Sequence, residues 1–330
     1  MTDWIALSDR KDWPDDAPAL LERGLFVMEF ALPLDRATVL LHLQSDTPWL
    51  RTLSVFFDPE AGLALLHRQG NDLRRHLIPG PLPQHQGTAR LAFTFDAPGR
   101  TWSMGYEIIE LGIHRAAQGT RPLPMASADL RALCTATQDS QRHRAVLWFG
   151  ATQNDMLPDH APWIGLRTPI DTSRGVVAAG LLKPGDLIAT LDQGFLPLKT
   201  LVHHTLPSRG SFVPVLLRTP FFGLSGDILV SSGQMVLISG ASVEYLYGVE
   251  EALISAASLC DGHVAQKDER RAVTNSVALD LGIPALITAD GCCLMSAYDT
   301  AAQLPRRALQ DYEALPLLTL LGRTALRHVA

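Results

Sequence analysis

The sequence predicts a mainly β protein, with an N-terminal antiparallel β-sandwich, a second β-rich domain and a short C-terminal helix. Short runs rich in Leu, aromatic and β-branched residues recur in both halves, and turn-forming residues separate them. The last segment instead spaces its leucines as a helix does. With 330 residues, 47% hydrophobic and 19% charged, the chain is long enough for two globular domains.

Six predicted strands follow one another in the first half without an intervening helix. They cover residues 24–32, 38–44, 49–57, 63–67, 88–95 and 101–109. Turn residues such as Asp58-Pro59 separate them, and Leu91, Phe93 and Phe95 alternate with Ala and Thr, as in a half-buried strand. This order of strand, acidic turn and strand predicts a jelly-roll-like antiparallel sandwich and resembles the LamG/concanavalin-like sandwiches.

The remainder of the first half predicts the domain boundary. Residues 115–127 are polar and contain prolines, which favours a loop, 129–135 predict a short helix and 146–149 a last strand. Residues 154–162 predict a linker. We therefore expect a sandwich over residues 1–160, a second domain over 161–303 and a C-terminal helical segment over 304–330.

Charge and hydropathy exclude several kinds of partner. The net charge of −6 and the pI near 6.0 predict that the chain binds neither nucleic acid nor anionic lipid. No run of 18 apolar residues predicts a transmembrane helix, and the charged first 24 residues are unlike an N-terminal signal peptide. We expect a cytoplasmic protein, or one exported without such a signal peptide, whose partner is an unknown protein or glycan.

Cysteine and histidine patterns predict no metal site and no cofactor. The four cysteines are Cys134, Cys260, Cys292 and Cys293, and none belongs to a Cys-x-x-Cys pair with a histidine pair. Buried free thiols are expected. His203 and His204 are adjacent, so their side chains diverge if the backbone is extended; we expect both in an exposed loop.

The second half contains the most informative segments. Residues 185–201 (GDLIATLDQGFLPLKTL), 214–240 and 244–262 follow the order of a strand, an Asp-x-Gly turn, a strand and a long excursion. Residues 163–303 resemble the Hint (Hedgehog/intein) domain in its bacterial type, fused behind a sandwich. The resemblance implies a β horseshoe and, as the family activity, autocatalytic peptide-bond cleavage.

The position that would hold the nucleophile is occupied by an inert side chain. The family's opening sequence places a Cys a few residues before Thr-x-Ile-x-Thr, and Thr168, Ile170 and Thr172 match that spacing. Counting back places Trp163 where the Cys would be. A cysteine is needed there because its thiolate attacks a carbonyl near neutral pH, and an indole does not.

The resemblance implies two further site positions. Ser231 occupies the Thr/Ser place of the family's Thr/Ser-x-x-His pattern, and Gln234 stands in place of the histidine. A glutamine donates a hydrogen bond but does not transfer a proton. The late Leu-Asp is present as Leu279-Asp280, but Leu281-Gly282 follows instead of a histidine. The positions that match the family site are therefore Trp163, Ser231, Gln234 and Asp280.

These replacements predict a Hint-family protein that has lost autoproteolysis and serves as a scaffold or interaction module. One alternative is residual self-cleavage near residue 163 with Thr172, Ser173 or Ser231 as a non-standard nucleophile. A second alternative is a glycan- or calcium-binding sandwich. It rests on turn aspartates and on tryptophans that would stack on a sugar, namely Asp46, Asp72, Asp96, Trp49, Trp102 and Trp148.

Overall fold

A computed structural model of the chain describes residues 4–10, 17–47, 49–135, 137–154, 157, 162–298 and 302–327. The chain divides into two compact units. The sandwich unit contains Thr2–Pro158 together with Arg209–Ser211, and the C-terminal unit contains Asp159–Ser208 and Phe212–Ala330. The predicted boundary at residue 160 and much of the predicted linker lie outside the described residues.

The sandwich unit has thirteen described strands and one helix, α1 (Ser127–Thr135). The strands are β1 (Trp4–Leu7), β2 (Leu20–Leu21), β3 (Arg23–Leu32), β4 (Thr38–Ser45), β5 (Arg51–Asp58), β6 (Gly62–Gln69), β7 (Asp72–Pro79), β8 (Gly87–Asp96), β9 (Thr101–Ile108), β10 (Ile113–Thr120), β11 (Met125–Ala126), β12 (Ser140–Arg142) and β13 (Val146–Thr152).

Two large antiparallel sheets form this unit. One has the order β1-β13-β3-β8-β9-β10 and the other β12-β4-β5-β6-β7, while β2 and β11 pair separately. The inward residues of both sheets form one hydrophobic core, with Phe26, Phe30, Phe57 and Phe93 fully buried. Burying one face of each sheet explains the alternation seen in β8.

Several strands of the sandwich were not predicted, and the longest of them are β7 and β10. The loop predicted over residues 115–127 is wrong, because β10 pairs with β9 over eight residues. The chain also forms β7, which was not predicted. Each lies at the end of its sheet and carries polar residues, such as Arg74 and Arg115. Edge strands of this kind give a weak hydrophobic signal because one edge and much of their surface face water.

The C-terminal unit has fourteen described strands and two helices, α2 (Ala241–Tyr247) and α3 (Asp311–Arg327). The strands are β14 (Ile164–Gly165), β15 (Pro169–Thr172), β16 (Gly175–Ala178), β17 (Leu187–Thr190), β18 (Gly194–Pro197), β19 (Thr200–Pro207), β20 (Val215–Leu217), β21 (Ile228–Val230), β22 (Met235–Ser239), β23 (Glu251–Ser255), β24 (Ala265–Lys267), β25 (Val273–Asp280), β26 (Leu286–Ala289) and β27 (Cys292–Met295).

This unit is also built from antiparallel sheets. One has the order β19-β25-β14-β21-β20-β24, and the other runs β16-β15-β17-β26-β27-β22-β23, with β18 paired to β17. The predicted turn at 192–194 closes the β17–β18 hairpin, where Gly194 has φ +67°. Ile170, Val230, Val277 and Leu294 belong to its core. Helix α3 contributes Ala314 and Leu317 to the same core.

The predicted fold class is confirmed: the chain is mainly β, with antiparallel sheets in both units and a short C-terminal helix. No helix within the described residues has both the length and the apolar character needed to cross a bilayer. The domain limits at 160 and 303 stay predictions.

Candidate functional site

Trp163 and Ser231 lie against each other through their backbones. Trp163 immediately precedes β14, Ser231 immediately follows β21, and the two strands are adjacent. The Ser231 N–H donates to the Trp163 carbonyl at 2.9 Å, and the Trp163 N–H lies 3.3 Å from the Ser231 Oγ. Trp163 is 3% exposed. The structure therefore brings together two of the four predicted positions.

Gln234 joins this pair through a tight turn. Its N–H donates to the Ser231 carbonyl at 3.1 Å, which closes the turn between β21 and β22. The side chain is fully buried at 0% exposed. Its Nε2 donates to the carbonyls of Met295 at 2.8 Å and Met235 at 3.2 Å. Its Oε1 is buried without a hydrogen-bond partner, so the amide is held by its nitrogen alone.

The hydrogen bonds of Asp280 are made to residues other than Trp163, Ser231 and Gln234. Asp280 ends β25, and its Oδ1 accepts the N–H of Gly282 at 2.6 Å. Its carbonyl accepts the N–H of Lys199. Asp280 stabilises the turn that follows β25, where Gly282 has φ +77°. This turn accounts for the aspartate at position 280 without any role in a shared site.

The partner that sequence analysis missed is the backbone carbonyl of Met295. It lies 61 residues from Gln234 and reaches it because β27 pairs with β22. A carbonyl acceptor carries no residue-type signature. No sequence pattern could therefore have identified it.

The prediction that His203 and His204 lie in an exposed loop is wrong. Both belong to β19, with His203 exposed and His204 buried on the other face. Burial, together with the charge of His203, lowers the pKa of His204. Its Nδ1 and the Oγ of Ser276, the residue directly opposite on β25, are both buried without a partner.

The hydroxyls predicted as alternative nucleophiles differ in their surroundings. Thr172 Oγ1 donates to the carbonyl of Gly175 at 2.7 Å and accepts the N–H of Arg174. These bonds build the β15–β16 turn. Ser173 is exposed and its N–H donates to Leu187. Of the three hydroxyls, that of Ser231 has the contact with Trp163.

The thiols of the C-terminal unit are poorly suited to nucleophilic attack. Burial raises the pKa of Cys292 to about 12, and it also raises the pKa of Cys260 and of Cys293. Cys292 is buried in the core, whereas Cys293 is only partly buried. A thiol with a raised pKa is protonated near neutral pH, so it is a weak nucleophile.

Two of the three aspartates considered for calcium binding, Asp72 and Asp96, pair with arginines. Asp96 accepts the N–H of Gly99 at 2.7 Å and pairs with Arg23 at 3.0 Å. Asp72 pairs with Arg74 at 3.3 Å. No group of three or more His, Cys, Asp or Glu side chains placed to hold a metal occurs in the described part of the chain.

The three tryptophans considered for sugar stacking have different surroundings. Trp148 is fully buried and donates its indole N–H to Glu29 at 2.8 Å. Trp102 packs against His76 with ring centroids 4.6 Å apart. Trp49 is exposed, with the Arg51 guanidinium 5.7 Å from its ring. Because Trp148 is buried, the three do not form one exposed platform.

Comparison with known proteins supports the family resemblance. Residues 166–301 match the model of the Hint domain family. No curated protein matches the chain. Similar solved structures include a splice-inactive variant of the AceL NrdHF class 3 split intein, at 13% identity, TM-score 0.29, and 43% of this chain and 100% of that one covered. The gp41-1 intein has 9% identity and a TM-score of 0.26, and the match covers 41% of this chain and 98% of the intein.

A sandwich protein is also among the similar structures. The CBM40 of the Ruminococcus gnavus IT-sialidase has 11% identity, TM-score 0.29, and coverage of 42% of this chain and 79% of that one. Similarity at this level supports no statement about ligand or activity. Residues 166–301, nearly all of which lie in the C-terminal unit with its antiparallel sheets, therefore match the Hint domain family.

Proposed function

We propose that this chain is a Hint-domain protein that no longer cleaves its own backbone and acts as a scaffold or interaction module. The single observation that carries the proposal is Gln234. It stands where the family resemblance places an imidazole, and its amide nitrogen is already bonded to the carbonyls of Met295 and Met235. A proton donor for the amide nitrogen of Trp163 is therefore missing from this position.

The surroundings of Trp163 support the same conclusion. Autoproteolysis of the Hint type needs a thiol or hydroxyl on the residue that follows the scissile bond. Trp163 offers neither, and its indole is buried. Losing the nucleophile removes the covalent route, and losing the acid removes roughly two to four powers of ten in rate.

The test is the mass of the intact chain. The purified protein is incubated with dithiothreitol near neutral pH and weighed by mass spectrometry at intervals. We expect one species with the full mass at every time. Two fragments of similar size, cut before Trp163, would contradict the proposal. The Ser231→Ala variant treated in parallel shows whether any fragments depend on that hydroxyl.

One observation favours a second candidate function, residual self-processing. The Ser231 Oγ lies 3.3 Å from the Trp163 nitrogen. The buried His204 and Ser276 side chains, which face each other across β19 and β25, have an unpartnered nitrogen and oxygen. The lowered pKa of His204 leaves its imidazole neutral near pH 7, the form that accepts a proton.

Variants separate the two candidates. Self-processing through these residues predicts fragments in the wild-type chain that disappear in Ser231→Ala or in His204→Ala. End-sequencing of the fragments identifies the cut bond. The Ser173→Ala variant is the matched control, because Ser173 is exposed and its N–H is bonded to the Leu187 carbonyl. Absence of fragments in all four proteins supports the non-cleaving scaffold.

A further inference from the structure

A slot one strand wide interrupts the six-stranded sheet of the C-terminal unit. β14 separates β21 from β25 only at Ile164 and Gly165, where it pairs with Val230, Val277 and Ser276. Neighbouring strands are about 4.8 Å apart, so the strands on either side of β14 are separated by roughly twice that distance. Past Gly165 the gap continues as a cavity of about 750 Å³, a volume within the usual range for ligand sites.

Both walls of the slot are strand edges. Ser208 N–H donates to the Ala272 carbonyl, in register with the β19–β25 pairing. Main-chain groups alternate in direction along an antiparallel strand. Those of Val273 and Asn275 therefore point away from β19 and toward the slot.

The opposite wall of the slot is the edge of β21, and the direction of its main-chain groups is found in the same way. Ser231 N–H donates to Trp163, so Leu229, two residues earlier, also directs its main-chain groups toward the β14 side. The pairing of β21 with β14 ends at Ile164–Val230. In the described chain, no strand lies opposite the slot-facing groups of Asp227 and Val273.

The chain itself turns away from the slot. Thr168 N–H donates to the Gly165 carbonyl at 3.0 Å, which forms a turn directly after β14. The carbonyls of Leu166 and Thr168 then accept the N–H groups of Gly180 and Ala179. The segment that would continue β14 is thereby held against a different part of the unit, and the slot stays open.

The side chains around the slot favour an acidic occupant. Three arginines and two aspartates line it: Arg167, Arg270, Arg271, Asp227 and Asp268. Both aspartates are engaged, Asp268 with Arg270 at 2.8 Å and Asp227 with the N–H of Thr219 at 2.9 Å. Arg167 is exposed and has no ion pair with the described residues.

A buried hydroxyl at the slot is also unpaired. Thr168 lines the cavity and is 3% exposed, yet its Oγ1 has no hydrogen-bond partner in the described chain. A buried polar atom without a partner costs roughly 1–3 kcal/mol. A bound segment with polar main-chain groups would supply that partner.

We propose that the slot binds an extended, acidic peptide segment of a partner protein by β-strand addition. A segment that continues the direction of β14 is antiparallel to both β21 and β25, so it bonds with both edges at once. Its carboxylate pairs with Arg167. This inference rests on the proposed scaffold function and names the class of partner.

The experiment measures peptide binding to the full chain by fluorescence anisotropy. The probe is a labelled heptapeptide in which threonine and valine alternate around a central glutamate. Three companion probes carry a central glutamine, a central lysine, or N-methylated main-chain amides. We expect saturable binding of the glutamate probe with a Kd of about 10–100 μM and none of the N-methylated probe, because it lacks main-chain donors.

Variants of the protein then test the slot. Arg167→Ala is expected to weaken binding of the glutamate probe about tenfold. It should leave binding of the glutamine probe unchanged, so the difference between the two probes measures the ion pair. Val273→Pro removes a slot-facing N–H at the first residue of a strand, where proline is tolerated. It should weaken the binding of every probe that binds the wild-type chain. Arg174→Ala, an exposed arginine paired with Asp186 outside the slot, is the matched control and should change nothing.

Two results would overturn the inference. One is the absence of saturation by the glutamate probe up to about 1 mM in a protein whose circular dichroism is native. The other is equal binding of the N-methylated and parent probes. The mass of the same sample is recorded, so that self-cleavage, which contradicts the proposed function, is distinguished from failure to bind.

Discussion

Glu29 in the sandwich unit and Gln234 in the C-terminal unit are both long polar side chains with 0% exposure, but they are stabilised very differently. Both carboxylate oxygens of Glu29 accept hydrogen bonds: Oε1 from Arg90 and the hydroxyl of Ser211, and Oε2 from Trp148 and the N–H of Ser211. Gln234 uses only its nitrogen, and its oxygen has no partner.

The two positions differ in how strongly their surroundings specify the side chain. A buried carboxylate is tolerated only when it is paired and fully hydrogen-bonded, so the cluster around Glu29 specifies that residue. A buried neutral amide with one unpaired atom costs less free energy than a buried unpaired charge. The surroundings of Gln234 provide hydrogen-bond partners for the amide nitrogen but none for the amide oxygen.

Removing the Glu29 carboxylate tests how strongly its buried partners depend on that charge. Glu29→Ala leaves the Arg90 guanidinium, paired at 2.7 Å, buried without its main counter-charge. We expect the free energy of unfolding to fall by about 3–5 kcal/mol, measured by urea unfolding with tryptophan fluorescence. Glu107→Gln is the control, since Glu107 is a partly exposed neighbour 3.6 Å from Arg90, and it should cost about 1 kcal/mol or less.

Placing a carboxylate at position 234 tests whether the C-terminal unit tolerates a buried charge there. In Gln234→Glu, two carbonyl acceptors surround the new carboxyl group, so the folded state favours its protonated form and raises its pKa. The unfolded pKa is about 4.3. The variant should keep its stability below that pH and lose about 3 kcal/mol as the pH rises to 7. Gln234→Met should show no such pH dependence, and urea titrations at pH 4–7 compare the two.

A third test concerns two buried histidines of the sandwich unit. His67 and His76 are buried with unpartnered ring nitrogens. Burial lowers the pKa of His67 to about 3 and of His76 to about 4. In the unfolded chain both take up protons below about 6.5. The free energy of unfolding should therefore decrease as the pH is lowered from 6.5 to 4, by roughly 1.4 kcal/mol per histidine per pH unit.

The double variant His67→Leu/His76→Phe isolates this contribution. The phenylalanine keeps the ring contacts of His76 with Phe93 and Trp102, but neither new side chain titrates. Unfolding free energies of variant and wild type, measured at pH 7, 6 and 5, should diverge as the pH falls. Parallel pH curves for the two proteins would show that the histidines do not carry the effect.

The smallest effect is expected at Ser231. Ser231→Ala removes one neutral contact, from the Trp163 N–H to the hydroxyl oxygen at 3.3 Å, and keeps the 2.9 Å bond between the two backbones. The loss should be about 1 kcal/mol in the same urea assay. Ser231→Thr retains the hydroxyl and should restore most of it. A loss as large as that of Glu29→Ala would mean that Trp163 depends on this contact.

Sequence patterns predicted the central strands far better than the edges of the sheets. β8 alternates apolar and polar residues because one face is buried, and that period is visible in the sequence. β7 and β10 expose most of their side chains at sheet edges, so their pairing depends on a neighbour rather than on their own composition. The same limit explains the error at His204, which is buried within β19.

The spacing of residue types along the chain was enough to predict that the positions matching the family site hold an indole, Trp163, and an amide, Gln234. The folded chain shows that Gln234 reaches the carbonyl of Met295, that Asp280 stabilises the turn after β25, and that β14 ends after two residues and leaves two strand edges facing each other. Backbone carbonyls and open edges are shared by every residue type, so their partners are determined by which strands become neighbours.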